Sequence, residues 1–249
     1  MKGFNLLEFL SRVSIEGNII RLPKEQLERE NYLQVKKALE GIGGHWKGGK
    51  VSGFVFDENP STLLKEIIKG KEINLKKDFQ FFETPDQLAN QLVSLSDIKK
   101  EHTILEPSAG RGSIVKAINR AYPDKKIDCF ELTDINIKFI EKIPTINLIG
   151  KDFIKSNPSN LYDRIIANPP FTKNQDIDHI RKMWDYLING GRLVTVSSTH
   201  WKHSNNKKEK EFKEWLISMS AKVIDLNSGT FKQSGTLIES CIIIINKKR

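Results

Sequence analysis

The sequence predicts an α/β protein: a mostly parallel sheet of seven strands with helices on both faces, preceded by a small α+β unit. Three observations predict it. From about residue 80 onward, short apolar runs alternate with helical patterns at the spacing of strand–helix–strand units. Before that point the chain reads differently, as a β-α-β-β-α stretch punctuated by glycines. The residues that look equipped for chemistry also fall at the ends of predicted strands, where parallel sheets place their ligands.

The elements follow in order. "GNIIRLP", Gly17 to Pro23, reads as a strand. "KEQLERENYLQVKKALEGIGG" reads as an amphipathic helix with Leu27, Tyr32, Val35 and Leu39 near one face, stopped by Gly41, Gly43 and Gly44. "HWKGGKVSGFVFD" reads as a hairpin turning at Gly48-Gly49, and "PSTLLKEIIKG" as a short helix from Ser61 to Gly70. A charged connector, Lys69 to Asp78, follows. The expected division is a small unit over 1–75 and a larger domain over 76–249. In the larger domain the strands are "TILEPS", "KIDCFEL", "INLIGKD", "DRIIANPP", "RLVTVSS", "AKVIDL" and "ESCIIIIN". Helices are expected at Ser113–Arg120, Ile135–Lys142, Asp176–Leu187 and Lys207–Ser220.

With 249 residues, a sizeable core is affordable; the formal net charge of +9 favours an anionic partner. Cys129 and Cys241 both lie in apolar strand-like runs and read as buried reduced thiols. There is no CxxC and the five histidines are scattered, so no metal site is expected. The N-terminus meets Ser, Arg and Glu too early for a signal peptide, and the longest apolar run, ending in Ile242 to Ile245, is too short to span a membrane. A soluble cytoplasmic protein is the expectation.

The first strand of the larger domain ends in Glu106-Pro107, followed by Ala109-Gly110-Arg111-Gly112 before a helix. Glycines there let backbone approach a ligand and start a helix tightly. A dinucleotide dehydrogenase would carry a third glycine where this chain has Val115. The next strand ends in Glu131, where a carboxylate can take both hydroxyls of a ribose. The third ends in Asp152-Phe153, which can meet an adenine amino group and ring, or can be a helix-capping Asp and a core Phe. Set beside Glu106, Glu131 and Asn168, each at a strand end, they favour a pocket for an adenosine. The fourth strand ends in "NPPF": Asn168, Pro169, Pro170 and Phe171. Two prolines cannot donate to a sheet ladder, and a single Gly would have ended the strand, so this combination is there for what it presents.

In that order, "LEPSAGRG", "FEL", "KDF" and "NPPF" resemble the class I S-adenosylmethionine-dependent methyltransferases that act on amines. The likeness is greatest to DNA adenine-N6 methyltransferases with the gamma order of motifs. "FFETPDQLANQLVSL" is similar to the cofactor motif that carries Thr84-Pro85 in that group, and "GTFKQSGTLIESCIIIIN" to a late motif whose aromatic, here Phe231, helps hold the target base. The resemblance covers about residues 79 to 246. It implies a Rossmann-like sheet, S-adenosylmethionine as cofactor and a flipped adenine in DNA as substrate. Thr84, Pro85, Glu106, Pro107, Ala109, Gly110, Gly112, Glu131, Asp152, Phe153 and Asn168 would line the cofactor side.

The chemistry accounts for the tetrapeptide. Adenine's exocyclic amine is a poor nucleophile because its lone pair is delocalised into the ring. Acceptors on its two N–H groups, the Asn168 side-chain oxygen and the Pro169 carbonyl, favour the localised amine of the transition state. Pro169 and Pro170 restrict the backbone and add no competing donor. Phe171 offers a face for the base and Phe231 can press the other; no strong general base is required.

Gamma-type enzymes usually carry a large C-terminal target-recognition domain, whereas this chain ends at Arg249 after its last strand. Recognition is therefore expected from the N-terminal unit, from "THWKHSNNKKEKEFKEW", or from a protein partner. The candidate nucleic-acid contacts are Lys173, Trp201, Lys202, Lys207 and Lys208, with Lys47 and Lys50 of the hairpin; Trp46 reads as a hairpin core residue. A restriction-modification or mobile-element setting would suit such an enzyme. Methylation of adenine N6 or guanine N2 in RNA is an alternative that keeps every catalytic residue, and a non-catalytic nucleic-acid-binding subunit is another.

Overall fold

The computed structural model describes residues 4–56, 59–70, 83–231 and 238–248. The expected connector beyond Gly70 and residues 232–237 of the late motif lie outside the described residues. The chain forms two compact units that meet in sequence at residues 81 and 82.

The N-terminal unit has α1 (Leu6–Ser11), β1 (Ser14–Glu16), β2 (Ile19–Arg21), α2 (Arg29–Gly41), β3 (His45–Lys47), β4 (Gly53–Val55) and α3 (Ser61–Ile68). Asn5 starts α1 by accepting from the Leu7 and Glu8 N–H groups at 3.1 and 3.2 Å. The four strands make an antiparallel sheet in the order β1-β2-β4-β3, so β3 is an edge strand. Helix α2 buries Val35 and Leu39. The sequence reading missed α1 and β1, which are short and polar enough to lack a clear period.

The second unit contains α4 (Asp86–Leu95), β5 (Ile104–Glu106), α5 (Ser113–Ala121), β6 (Ile127–Phe130), α6 (Asp134–Ile140) and β7 (Ile146–Gly150). It continues with β8 (Tyr162–Ala167), α7 (Gln175–Asp185), β9 (Leu187–Ser198), α8 (His200–His203), α9 (Lys207–Ser218), β10 (Lys222–Asp225) and β11 (Ser240–Asn246). All seven expected strands are present, in the order β10-β11-β9-β8-β5-β6-β7. Only β11 runs against its neighbours; β5 to β9 are mutually parallel. Strand β9 begins at Leu187, where the sequence reading still had a helix; its Leu187 pairs with Tyr162 across a register shift.

Alternate residues of the central strands enter two cores. Ile104, Ile166, Val194, Val196, Ile242 and Ile244 pack with α4 and α5 through Leu88, Leu92, Ile114 and Ile118. Leu105, Ile165, Leu193, Ile243 and Ile245 pack with α7 and α9 through Ile177, Ile180, Met183, Phe212 and Leu216. Covered faces explain the unbroken apolar run of β11, each fully buried Ile contributing about 1.5–3 kcal/mol of gross burial. Cys129 and Cys241 are free and buried, and burial pushes the Cys241 thiol up to about 12. Among the described residues no helix is long and apolar enough to cross a membrane.

Candidate active site

Parallel strands β5 to β8 carry their carboxyl ends to one edge of the sheet, and chain order reverses between β5 and β8. The candidate residues gather on that edge. Between β5 and α5, Gly110 and Gly112 have φ of +57° and +81°, the left-handed region that favours glycine. A Cβ on Gly112 would meet Ile143 Cδ1 at 2.8 Å, so a side chain there would have to displace the end of Ile143 as well as accept a left-handed backbone. Ala109 N–H donates to the Phe130 carbonyl at 3.0 Å, tying this loop to the end of β6.

Glu131 holds the loop from the other side. Its Oε2 accepts from Gly110 N–H at 2.7 Å; its Oε1 accepts from Thr133 N–H and Oγ1, both at 2.8 Å, and from Asn136 Nδ2 at 3.2 Å. Three donors crowd Oε1, while Oε2 has Gly110 N–H alone and keeps one acceptor position open among the described residues. Thr133 also caps α6. Neither Thr133 nor Asn136 was foreseen, because their bonds to Glu131 form only once the loop is folded. Glu106 is 1% exposed, and its Oε2 has no hydrogen-bond partner among the described residues. Burial pushes its carboxyl well above the ordinary range; the Glu131 charge adds to this and the Val115 backbone N–H opposes it.

At the end of β8, Asn168 Nδ2 donates to Thr84 Oγ1 at 3.1 Å. This contact joins the Thr84-Pro85 motif to the tetrapeptide across 84 residues of chain. Asn168 Oδ1 is buried with no hydrogen-bond partner among the described residues. Phe171 and Phe231 meet with ring centroids 6.3 Å apart at 84°, an edge-to-face contact rather than two parallel plates around a slot. Phe231 is 2% exposed, so a base between the rings requires it to turn aside.

The turn after Phe171 is strained: Lys173 and Asn174 have φ of +53° and +59°, consecutive left-handed residues that are not glycine. Helix α9 holds it there. Lys208 Nζ donates to the Asn174 carbonyl at 3.1 Å and pairs with Asp178 at 2.7 Å, while Asn174 Nδ2 donates to Glu209 Oε1 at 2.7 Å. Asp176, fully buried, accepts on Oδ2 from Ser197 Oγ at 2.8 Å and from Ser198 N–H and Oγ at 2.9 and 3.1 Å at the end of β9. His179 lies within 3.3 Å of Ser108 Oγ through Nδ1; burial lowers it to about 4 despite Asp178 and Asp152, so it is neutral at physiological pH. These contacts pair polar residues distant in sequence, so no local pattern announced them.

Several expected contacts are corrected. Phe153 is 2% exposed and its ring packs on Phe130, His179 and Tyr186, as the core reading of this residue has it. Asp152 closes its own turn through the Lys155 N–H at 3.2 Å and ammonium at 3.1 Å. Burial raises its carboxyl, but Lys155 outweighs that and holds it below the ordinary value. Trp201 is 5% exposed, packs on Phe212 and donates from Nε1 to Ser197 Oγ, so it cannot stack on nucleic acid. Lys202 is paired with Asp225, and Lys208 is spent on the turn. Lys207, mostly exposed, pairs with Glu211 at 3.8 Å, and Lys173 is exposed.

A family model for the methyltransferase small domain matches residues 83–229, more than half of the chain. The chain belongs to this methyltransferase family. Among curated proteins, the type II methyltransferase M.AccI of Acinetobacter calcoaceticus is 27% identical over 124 residues, covering 48% of this chain and 23% of that protein. The chain therefore matches about a quarter of that relative's length. Among solved structures, the methyltransferase subunit of a type I restriction-modification system from Streptococcus thermophilus has a TM-score of 0.57 at 17% identity, covering 67% of this chain and 44% of that one. A proposed class I S-adenosylmethionine-dependent methyltransferase from Listeria monocytogenes has a TM-score of 0.56 at 15% identity, covering 76% and 67%. Both share the class I fold. The cofactor of this methyltransferase is S-adenosylmethionine, and the residues present fit it. The left-handed glycines turn the chain directly at the strand end, and Glu106 Oε2, with no partner among the described residues, is a carboxyl oxygen of the kind a cationic amino acid moiety fills.

Proposed function

We propose that this methyltransferase modifies the N6 amine of adenine in DNA, with the base turned out of the helix against the Asn168–Phe171 loop. The observation that carries the reading is Asn168: its amide is fixed by Thr84 and its Oδ1 is a buried acceptor with no donor among the described residues. A buried carbonyl oxygen left bare costs about 1–3 kcal/mol, and an N–H group of a bound amine removes that cost.

S-adenosylmethionine, when bound, supplies an electrophilic methyl carbon on a sulfonium. The chain's residues prepare the nucleophile. Asn168 Oδ1 accepts one amine N–H and the Pro169 carbonyl the other, drawing the nitrogen toward the pyramidal form whose lone pair is free to attack. The methylated amine is cationic and releases one of its protons to water, so no basic side chain is needed. Phe171 supplies a face for the base, and Phe231 supplies a second once turned aside. On the cofactor side, Glu131 would hold the ribose hydroxyls through Oε2, which has only Gly110 N–H as a donor and so an acceptor position to offer. Pro107, Ala109, Gly110 and Gly112 would shape the turn around the cofactor, and exposed Lys173, two residues beyond Phe171, would take a phosphate flanking the flipped base.

M.AccI is a type II methyltransferase, and the Streptococcus relative is a subunit of a restriction-modification system; both support DNA as substrate and leave room for a partner that supplies sequence recognition. The test is transfer from methyl-labelled S-adenosylmethionine to duplex DNA, single-stranded DNA and RNA, with digested nucleosides identified by mass. N6-methyldeoxyadenosine is the expected product. Label confined to RNA would overturn the substrate and keep the pocket; cofactor binding with no label in any nucleic acid would overturn the amine-gripping role of Asn168.

A further inference from the structure

The N-terminal unit lies outside the residues matched by the family model, and its exposed edge strand carries a second set of groups suited to nucleic acid. Strand β3 pairs with β4 on one side only, and all three of its residues, His45, Trp46 and Lys47, are exposed. Trp46 is not the hairpin core residue that the sequence suggested: it is 41% exposed. Its ring meets the fully buried Phe54 at 5.2 Å and 68°, which anchors the indole on the core while much of it faces water.

The other tryptophans are covered. Trp201 is buried, while Trp184 and Trp215 pack on each other at 6.0 Å under Lys247 and Arg181 respectively. The turn beside Trp46 is bare: a Cβ on Gly48 would have the indole Nε1, at 3.9 Å, as its nearest neighbour, and one on Gly49 would touch nothing. Between Glu40 and Asp57 the sequence has no acidic residue, yet it carries His45, Lys47 and Lys50. Neither lysine forms an ion pair among the described residues, whereas Arg12, Arg21, Lys36 and Lys69 of the same unit each have a glutamate.

We propose that the β3–β4 hairpin is a separate DNA-binding surface that takes an unpaired nucleotide, its base stacked on Trp46 and its flanking phosphates held by Lys47 and Lys50. Charge complementarity selects a polyanion, and the open indole selects within that class. Base faces in a duplex are already stacked on one another, so an aromatic face can be used only by a base outside the stack. That the strand is DNA rests on the proposed function; the stacking and charge argument does not.

The test uses the full chain and a fluorescein-labelled mixed-sequence oligodeoxynucleotide, single-stranded and as its duplex, with binding read by anisotropy. Trp46→Ala should weaken single-strand binding by about tenfold or more and leave duplex binding nearly unchanged, with Trp46→Phe restoring most of the loss. Lys47→Gln and Lys50→Gln should each reduce the dependence of log affinity on log salt by about 0.7. Unchanged single-strand affinity in Trp46→Ala, or an equal loss on duplex, overturns the stacking surface; tighter binding to the matching RNA than to DNA overturns the choice of strand. Thermal melting and cofactor affinity of each variant exclude misfolding as the cause. Because anisotropy needs no methyl transfer, a failed catalytic reading leaves this result standing, and a failed surface leaves transfer to a short duplex intact.

Discussion

Glu131 and Asn168 occupy equivalent places, each the first residue beyond the carboxyl end of a parallel strand, yet they are finished to different degrees. Glu131 has four donors from its own chain, and the loop on either side is organised around it. Asn168 is anchored by one bond from its amide and leaves its carbonyl oxygen bare. The first is a part of the fold that a ligand joins; the second is an acceptor whose partner comes from outside. Removing the first therefore injures folding and binding together, while removing the second should injure chemistry alone.

The sharpest way to break this contrast is Asn168→Ala. Transfer should fall by about 10²–10³-fold, as for loss of a donor or acceptor aimed at a transition state, with cofactor affinity by calorimetry within a few-fold and no fall in Tm. A variant that keeps full activity, or that loses cofactor binding to the same extent, would falsify the division of labour. Glu131→Ala should weaken the cofactor by about 1–3 kcal/mol and lower Tm as well, because Gly110, Thr133 and Asn136 all lose their acceptor. Glu131→Gln, which keeps the shape and one acceptor oxygen, should recover part of the Tm before it recovers affinity. Lost affinity at unchanged Tm in both variants would make Glu131 a ligand group only.

Smaller effects test the turn that carries Phe171. At φ of +59°, Asn174→Val should cost about 1–2 kcal/mol of stability and lower kcat several-fold, whereas Asn174→Gly fits the backbone and should keep most activity despite losing its bond to Glu209. Equal behaviour of the two in a urea melt and a transfer assay would detach the turn from catalysis. The smallest effect concerns Glu106. A carboxyl whose folded value is raised contributes stability that is fully present below its ordinary value of 4.5 and is lost as pH rises through the elevated one. Glu106→Gln should accordingly show a flatter dependence of the urea midpoint between acid and neutral pH than the parent, in the absence of cofactor. A parallel pair of curves would mean that the buried carboxyl is not titrating there.

Much of this was legible in the chain. The seven strands, their mostly parallel course and the placing of Glu106, Glu131, Asp152 and Asn168 at or just past strand ends follow from local signals: apolar runs, glycines before a helix, and prolines that cannot continue a ladder. Exposure was not legible where the residue type was ambiguous. Trp201 sits among lysines in sequence yet is buried because α8 and α9 fold Phe212 onto it; Trp46, flanked by a Gly-rich turn, is open because its strand is an edge. Phe153 follows a strand-end Asp, but Phe130 and Tyr186 from other elements claim its ring.

The order and types of residues alone suffice for an α/β sheet with a glycine turn, strand-end carboxylates and a rigid amide-bearing loop, since each depends on neighbours within a few positions. Which of those groups already has a partner is a matter for the tertiary structure. Thr84 reaches Asn168 across 84 residues, and Asn174 reaches Glu209 across 35. A hydrogen bond or a covered ring is a relation between surfaces that only the packed chain brings together, and it separates the well-anchored Glu131 from the waiting oxygen of Asn168.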